Sequence, residues 1–250
     1  MSEERATVVV VEDEPDLADL YTAWLDDDYD VHAAYGGEEA LELIDDLGAV
    51  DVVLLDRRMP EVSGDEVLSA LRDRGLAVTH AAPPGLDDVF ASVPEIGAAI
   101  GRPADGERLA VDLRDRVDAV RAAVPDDPSE RPVVYAEEWG DPPMAAGNWV
   151  PEAVAAAGGR CPFVSPGERS HEIEAAAVER EHPDHAVFHW CGADREPAWT
   201  ELRDRGWAVD PVVHVLDDSL LNQPSPRLVD GIETLAELLH GSSVPADSAR

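Results

Sequence analysis

The chain contains no lysine. All 19 of its basic residues are arginines, set against 54 aspartates and glutamates, for a net charge of −35 over 250 residues. A protein that neutralises nucleic-acid phosphates needs a basic face, so this composition argues against duplex nucleic acid as a partner. Self-repulsion of this size loosens a compact state at low ionic strength, whereas at 1 M salt the Debye length falls to about 3 Å and most of the penalty disappears. The carboxylates run along the whole chain rather than in one block, and a salt-rich cytoplasm is the simplest reading of them. Cysteine is scarce: Cys161 and Cys191 supply no disulfide framework and read as small buried apolar residues. No apolar run approaches the roughly 18–20 residues of a membrane span. The opening MSEERATVVVVEDE has no basic segment leading into an apolar stretch and a cleavage site, so the expected location is cytoplasmic, without a membrane span. Aromatic residues make up only 5%, yet 44% apolar residues suffice for one large domain or two lobes. No glycine-rich loop follows a strand and no serine sits at a strand-to-helix elbow, so the chain is read as a non-enzyme.

What is present alternates. TVVVVE (7–12), YDVHAA (29–34) and VDVVLLD (50–56) are β-branched runs of strand length separated by helical spacing. Leu17, Leu20, Trp24 and Leu25 share one helical face behind Pro15, and GGEEALELIDDLG ends in a glycine suited to a left-handed cap. Residues 63–74 read as a helix and LAVTHA (76–81) as a fourth strand. A proline-interrupted helix follows, then a long one carrying Leu109, Leu113, Val117, Val120 and Val124 as its stripe. After PDDPSERP a second alternating series begins. VVYAEEW, HAVFHWCG and VVHVLD are its strands, with helices near 149–157, 170–181, 196–205 and 226–239. The expected fold is α/β: two lobes with mainly parallel, doubly wound sheets joined by a long helix.

Glu12 and Asp13 close the first strand and Asp56 closes the third, which places three carboxylates in one crevice at the carboxyl ends of neighbouring strands. Mg²⁺ suits such oxygen ligands, and an aspartate held there is a nucleophile toward a phosphoryl donor. VVVVEDEPD and LLDRRMPEVSG, at this separation, resemble the response-regulator receiver family over about residues 6–75. The resemblance implies a flavodoxin-like front, Asp56 as phosphoacceptor, Glu12, Asp13 and Asp56 as Mg²⁺ ligands and a histidine kinase as partner. The family also uses a Ser or Thr after its fourth strand and a Lys after its fifth. Thr79 arrives several residues earlier than that spacing, and a lysine-free chain lacks the second group; loss of its fixed charge implies weak phosphorylation.

From LAVTHAAPPGLDDVFASVPEIGAAIGRP onward, through VVYAEEWGDPPMAAGNWVPEAVAAAGG, PDHAVFHWCG and LLNQPSPRLVDGIETLAELL, the chain resembles the binding proteins for iron complexes and cobalamin that serve transport into cells. The resemblance covers about residues 76–240 and implies a periplasmic-binding-protein-like lobe taking a corrinoid or iron complex. Trp139, Trp149 and Trp190 lie at strand or helix ends, where wide apolar faces suit a large ring system or, equally, core packing. Asn148 and Asn222 are candidate hydrogen-bonding partners of that ligand. Trp199 and Trp207 read as packing residues, and Glu137 with Glu138 as a solvated pair. His185, His189 and Cys191 share one strand face, but their spacing matches no recognised zinc motif, so buried and satisfied side chains are the expectation, with His80 and His214 ambiguous.

The expected division is a truncated receiver block over 1–75, a fourth strand and helix over 76–102 completing the amino-terminal lobe, a connecting helix over 103–124, a binding-protein-like lobe over 125–241 and a flexible tail over 242–250. The functional expectation is a non-enzymatic hybrid of a degenerate receiver and a cobalamin or iron-complex binding lobe with impaired ligand binding, from a salt-adapted organism. The alternatives are a phosphorelay regulator phosphorylated on Asp56 with the second lobe as output, and a fold with neither activity.

Overall fold

A computed structural model describes residues 5–56, 59–74, 83–190 and 199–241. The chain divides into two compact units, Met1–His80 with Ala99–Gly101, and Ala81–Ala98 with Arg102–Arg250. The expected fourth strand, Thr79, His80, Cys191 and the tail over 242–250 lie outside the described residues.

The first unit is built from β1 (Thr7–Val11), α1 (Pro15–Leu25), β2 (Asp30–Ala34), α2 (Gly37–Leu47), β3 (Val52–Leu55) and α3 (Gly64–Asp73). Its described strands form a parallel sheet in the order β2-β1-β3, with Val9 opposite His32 and Val53. Central β1 is buried from Val8 to Val11, as a strand covered on both faces should be, which explains a sequence of continuous valines rather than alternation. Val9, Val11, Ala34, Ala40, Ile44, Met59, Val67 and Leu71 form its core. Helix ends follow local chemistry. Gly48 closes α2 at φ 70°, and Ser63 and Glu66 cap α3 reciprocally, each side chain accepting from the other's backbone N–H.

The second unit contains α4 (Leu86–Ala99), α5 (Pro103–Ala123), β4 (Val134–Gly140), β5 (Pro143–Ala145), α6 (Val150–Ala156), β6 (His171–Glu172), α7 (Ala175–Glu181), β7 (His185–Phe188), α8 (Glu201–Asp204), β8 (Val212–Val215) and α9 (Arg227–His240). Its sheet runs β6-β5-β4-β7-β8; β4, β7 and β8 are parallel, and β5 and β6 add an antiparallel edge. The helix expected near 170–181 therefore starts at Ala175, because His171–Glu172 pairs with β5.

Two expectations are corrected. Helix α4, expected to complete the amino-terminal lobe, packs into the second unit, where Leu86, Val89 and Phe90 join the cluster formed with α5, α6 and α9. The stripe of α5 is also shifted. Leu109 is 40% exposed, and the buried line runs through Gly106, Ala110, Leu113, Val117 and Val120. The cause is the crossing with α4: a Cβ at Gly97 would stand 2.8 Å from Gly106 Cα, so the helices meet on glycines and the next turn of α5 holds a small residue.

Candidate functional site

Strand β1 delivers Glu12 and Asp13 as it leaves the sheet. Glu12 N–H donates to Ala34 O and Asp56 N–H to Val11 O, both at 3.0 Å, so the ladder continues past each strand and fixes the acidic residues in register. Glu12, Asp13 and Asp56 each bring an oxygen within 4.8 Å of the others. Glu12 is buried and the other two are half-buried. Burial pushes the Glu12 carboxyl above the usual range, Glu14 N–H opposes this with a hydrogen bond of 3.3 Å, and the charges of Asp56, Asp13 and Glu14 raise it further. An all-oxygen donor set under mutual repulsion fits a hard divalent cation such as Mg²⁺, which keeps several waters and a phosphate oxygen. The acidic residues singled out at strand ends are thus brought together.

The first unit also holds a cavity of about 330 Å³ lined by Tyr35, Gly36, Gly37, Glu38, Glu39, Glu42, Pro60, Glu61 and Val62. It depends on the loop after β3 folding against the start of α2, a contact that local sequence does not reveal. A Cβ on Gly37 would collide with Val62, and Glu61 takes a φ of 62°.

In the second unit the residues proposed for a ring ligand are mostly held by the framework. Trp149 is buried in the cluster that contains α9, and its Nε1–H donates to Leu221 O at 2.7 Å. Trp190 is buried in a different cluster, with Phe188 and Val178, and donates to Glu137 Oε1 at 2.8 Å. Asn148, at φ 52°, donates its N–H to Glu168 O at 2.5 Å and accepts from Gly167 at 3.1 Å. Trp139 keeps 40% of its surface exposed and donates to Asp141 O at 2.8 Å. Asn222 pairs with His189 twice: its Oδ1 meets His189 Nδ1, and its Nδ2 donates to His189 O at 2.8 Å. This makes Nδ1 the protonated ring nitrogen. Nε2 is buried with no hydrogen-bond partner among the described residues. Burial lowers the His189 pKa to about 4, so the ring is neutral at pH 7.

Sequence reasoning missed the strongest polar centre of this unit. Glu137, expected to be solvated, is fully buried. Arg205 grips it in a fork of 2.7 and 2.9 Å, and Tyr135 Oη donates to it at 2.6 Å beside the Trp190 bond. Arg205 also lies over the rings of Trp190 and Trp207, 5.7 and 5.4 Å from their centroids. Trp207 packs as expected, whereas Trp199 is 69% exposed and joins no buried cluster of the described residues. His185 meets His214 of the neighbouring strand rather than His189.

Comparison with known proteins follows the same division. Residues 8–82 match the response regulator receiver domain, seven residues past the expected end of that resemblance, so LAVTHA falls within the match. A candidate transcriptional regulator of Haloferax volcanii is 58% identical over 78 residues, covering 30% of this chain and 13% of that protein. A cobalamin-binding protein of Halobacterium salinarum is 28% identical over 198 residues, 74% of this chain and 53% of that one. The chain thus spans about half, or much less, of these curated relatives. Among solved structures, a periplasmic heme-binding protein of Pseudomonas aeruginosa matches with a TM-score of 0.68 and 20% identity, over 98% of this chain and 95% of the other. The fold is therefore that of these periplasmic binding proteins, and residues 8–82 are similar in sequence to receiver domains.

Proposed function

We propose that the chain is a non-enzymatic hybrid in which a receiver-derived acidic corner is joined to a binding-protein-like unit that takes a corrinoid or iron complex with reduced affinity. The observation that carries this reading is the extended similarity to a cobalamin-binding protein over 74% of a chain whose front also matches a receiver. Glu12, Asp13 and Asp56 hold Mg²⁺, and their convergence within 4.8 Å supports that assignment. In the second unit Trp139 offers the open aromatic face, while Trp149, Trp190, Asn148 and Asn222 hold the surrounding backbone through the bonds described above. Affinity is reduced because a large ligand is held by enclosure, and receiver sequence stands where such binding proteins have their own opening strands and loops. Among the described residues no helix is long and apolar enough to cross a membrane. The charge of −35 supports a salt-rich cytoplasm as the place of action. Titration with a corrinoid and with ferric complexes in molar salt, followed by ligand absorbance, should saturate at one site per chain. Absence of saturation with every ligand ends the reading.

A second reading is favoured by the same acidic corner: a regulator that receives a phosphoryl group on Asp56 from a histidine kinase and uses the second unit as output. A small acyl-phosphate donor with Mg²⁺ should then label the wild type and not Asp56→Asn. An unlabelled wild type removes it.

A further inference from the structure

His185 opens β7 and His214 lies within β8, and the parallel register sets His185 against Val212 and Val187 against His214. The two imidazoles are diagonal neighbours on one face of the sheet. His185 Nδ1 and His214 Nε2 stand 2.9 Å apart, with ring centroids 5.2 Å apart and planes 17° from parallel. Both residues are half-buried, so solvent still reaches them. Between neutral rings such a contact needs one proton, carried by one nitrogen and accepted by the other.

The same separation is what a metal ion imposes on adjacent ligands. With bonds of about 2.05 Å, nitrogens at neighbouring corners of a square or octahedron lie about 2.9 Å apart, whereas tetrahedral corners hold them about 3.3 Å apart. Burial lowers both histidines below the ordinary imidazole range, and His185 adds to this at His214. Around His185 the charge of Asp184 works upward and that of His240 downward. Neutral rings are the form that ligates.

We infer that His185 and His214 form a two-imidazole site for a divalent metal of tetragonal preference, Cu²⁺ or Ni²⁺. The ion takes the lone pairs of His185 Nδ1 and His214 Nε2 as the half-buried rings turn toward it, and waters fill its remaining positions. The proton held between the rings passes to the outer nitrogen of the imidazole that carried it, so both ligands are neutral and no proton is released. His185 begins its strand, whereas His189 and Asn222 lie beyond the carboxyl end, where open α/β sheets gather ligands. The metal site is therefore separate from the proposed ring-ligand site.

The test uses the full chain and Cu²⁺ alone, in molar salt to suppress loose association with carboxylates. Electron paramagnetic resonance should show one ion coupled to two imidazole nitrogens. His214→Gln, which keeps a hydrogen-bonding side chain, should weaken binding at least tenfold and remove one nitrogen coupling; His185→Gln should do the same and serves if the first variant fails to fold. Replacing the exposed His171 by Gln should change neither readout. A wild-type spectrum with fewer than two nitrogens, or affinity within twofold of wild type in the folded His185→Gln or His214→Gln protein, overturns the proposal.

Discussion

Each unit contains an arginine gripping a carboxylate through two nearly identical bonds. Arg74 holds Asp45 between α3 and α2 at 2.8 and 2.9 Å, and Arg205 holds Glu137 at 2.7 and 2.9 Å. Their surroundings differ: the side chains are 36% and 58% exposed in the first pair, 14% and 0% in the second. In water the first pair gains little beyond what solvation and counterions already supply. The second has lost its water, and every oxygen of Glu137 is committed to Arg205, Tyr135 or Trp190. The units thus use carboxylates in opposite ways. Three acids of the first unit converge at its strand ends, the arrangement the proposed function reads as a cation site, and the buried acid of the second is closed around a cation supplied by the chain.

The largest effect expected from breaking this contrast is at Arg205. Arg205→Met leaves the buried Glu137 charge with two neutral donors, and removing one partner of a buried pair costs about 3–5 kcal/mol. Denaturant unfolding followed by tryptophan fluorescence reports mainly on the second unit, which holds five of the six tryptophans. The double variant Glu137→Leu with Arg205→Met should recover part of the loss, since the Glu137 charge goes with it while buried Glu201, 3.3 Å from Arg205, keeps its own. A loss below about 1 kcal/mol in the single variant would show that water reaches Glu137 and that the closed description is wrong.

His189 comes next. Its folded pKa of about 4 lies below the unfolded value of 6.5, so the unfolded chain takes up the proton first as pH falls. Its contribution is fully present above pH 6.5 and is lost progressively as pH falls toward about 4, amounting to about 3 kcal/mol over the window. Other groups titrate there too, so the measurement is the difference between wild type and His189→Gln. That difference should shrink steadily from pH 7 to pH 4. A constant difference would mean that the ring is hydrated in the folded protein.

The two centres were not equally legible in the sequence. Glu12, Asp13 and Asp56 sit at the ends of valine- and leucine-rich runs, and topology alone carries strand ends to one crevice, so composition and spacing reveal the triad. Glu137 stands beside Glu138 in an acidic chain, and nothing local separates a buried carboxylate from a solvated one. Its partner lies 68 residues away, on a segment recognisable only after folding. His185 and His214 are 29 residues apart and meet because β7 and β8 pair in one particular register, which periodicity does not supply. The stripe of α5 was displaced for a related reason: a helix crossing on Gly97 and Gly106 decides which face turns inward, and apolar spacing alone selected Leu109.

The triad should respond to pH in the sense opposite to His189. Glu12 is raised in the folded state, so its contribution is fully present below its unfolded pKa and is lost as pH rises through the folded value. Mg²⁺ should reverse this loss near neutrality by binding only the folded corner. At a concentration one hundred times its Kd the gain is about 2.7 kcal/mol. Hydrogen exchange of β1 and β3 amides with and without Mg²⁺ measures it. Asp56→Asn should abolish most of the response to Mg²⁺. An equal Mg²⁺ response in that variant would place the ion elsewhere on the acidic surface.

The smallest effect, and the sharpest form of the comparison, is at Arg74. The bond to Asp45 is bidentate and lowers the Asp45 pKa, yet both groups stand in solvent. Arg74→Gln should therefore leave the exchange of β1 amides unchanged in molar salt, where charges more than about 3 Å apart are screened. At low salt a modest loss should appear, because the substitution removes one of only 19 cations from a chain with 54 acids. The salt dependence separates the two arginines: loss at Arg74 should fade as salt rises, and loss at Arg205 should persist, since ions cannot enter a site that has excluded water. If both losses faded together, burial would not be what distinguishes the pairs, and the long-range field of the chain would set both.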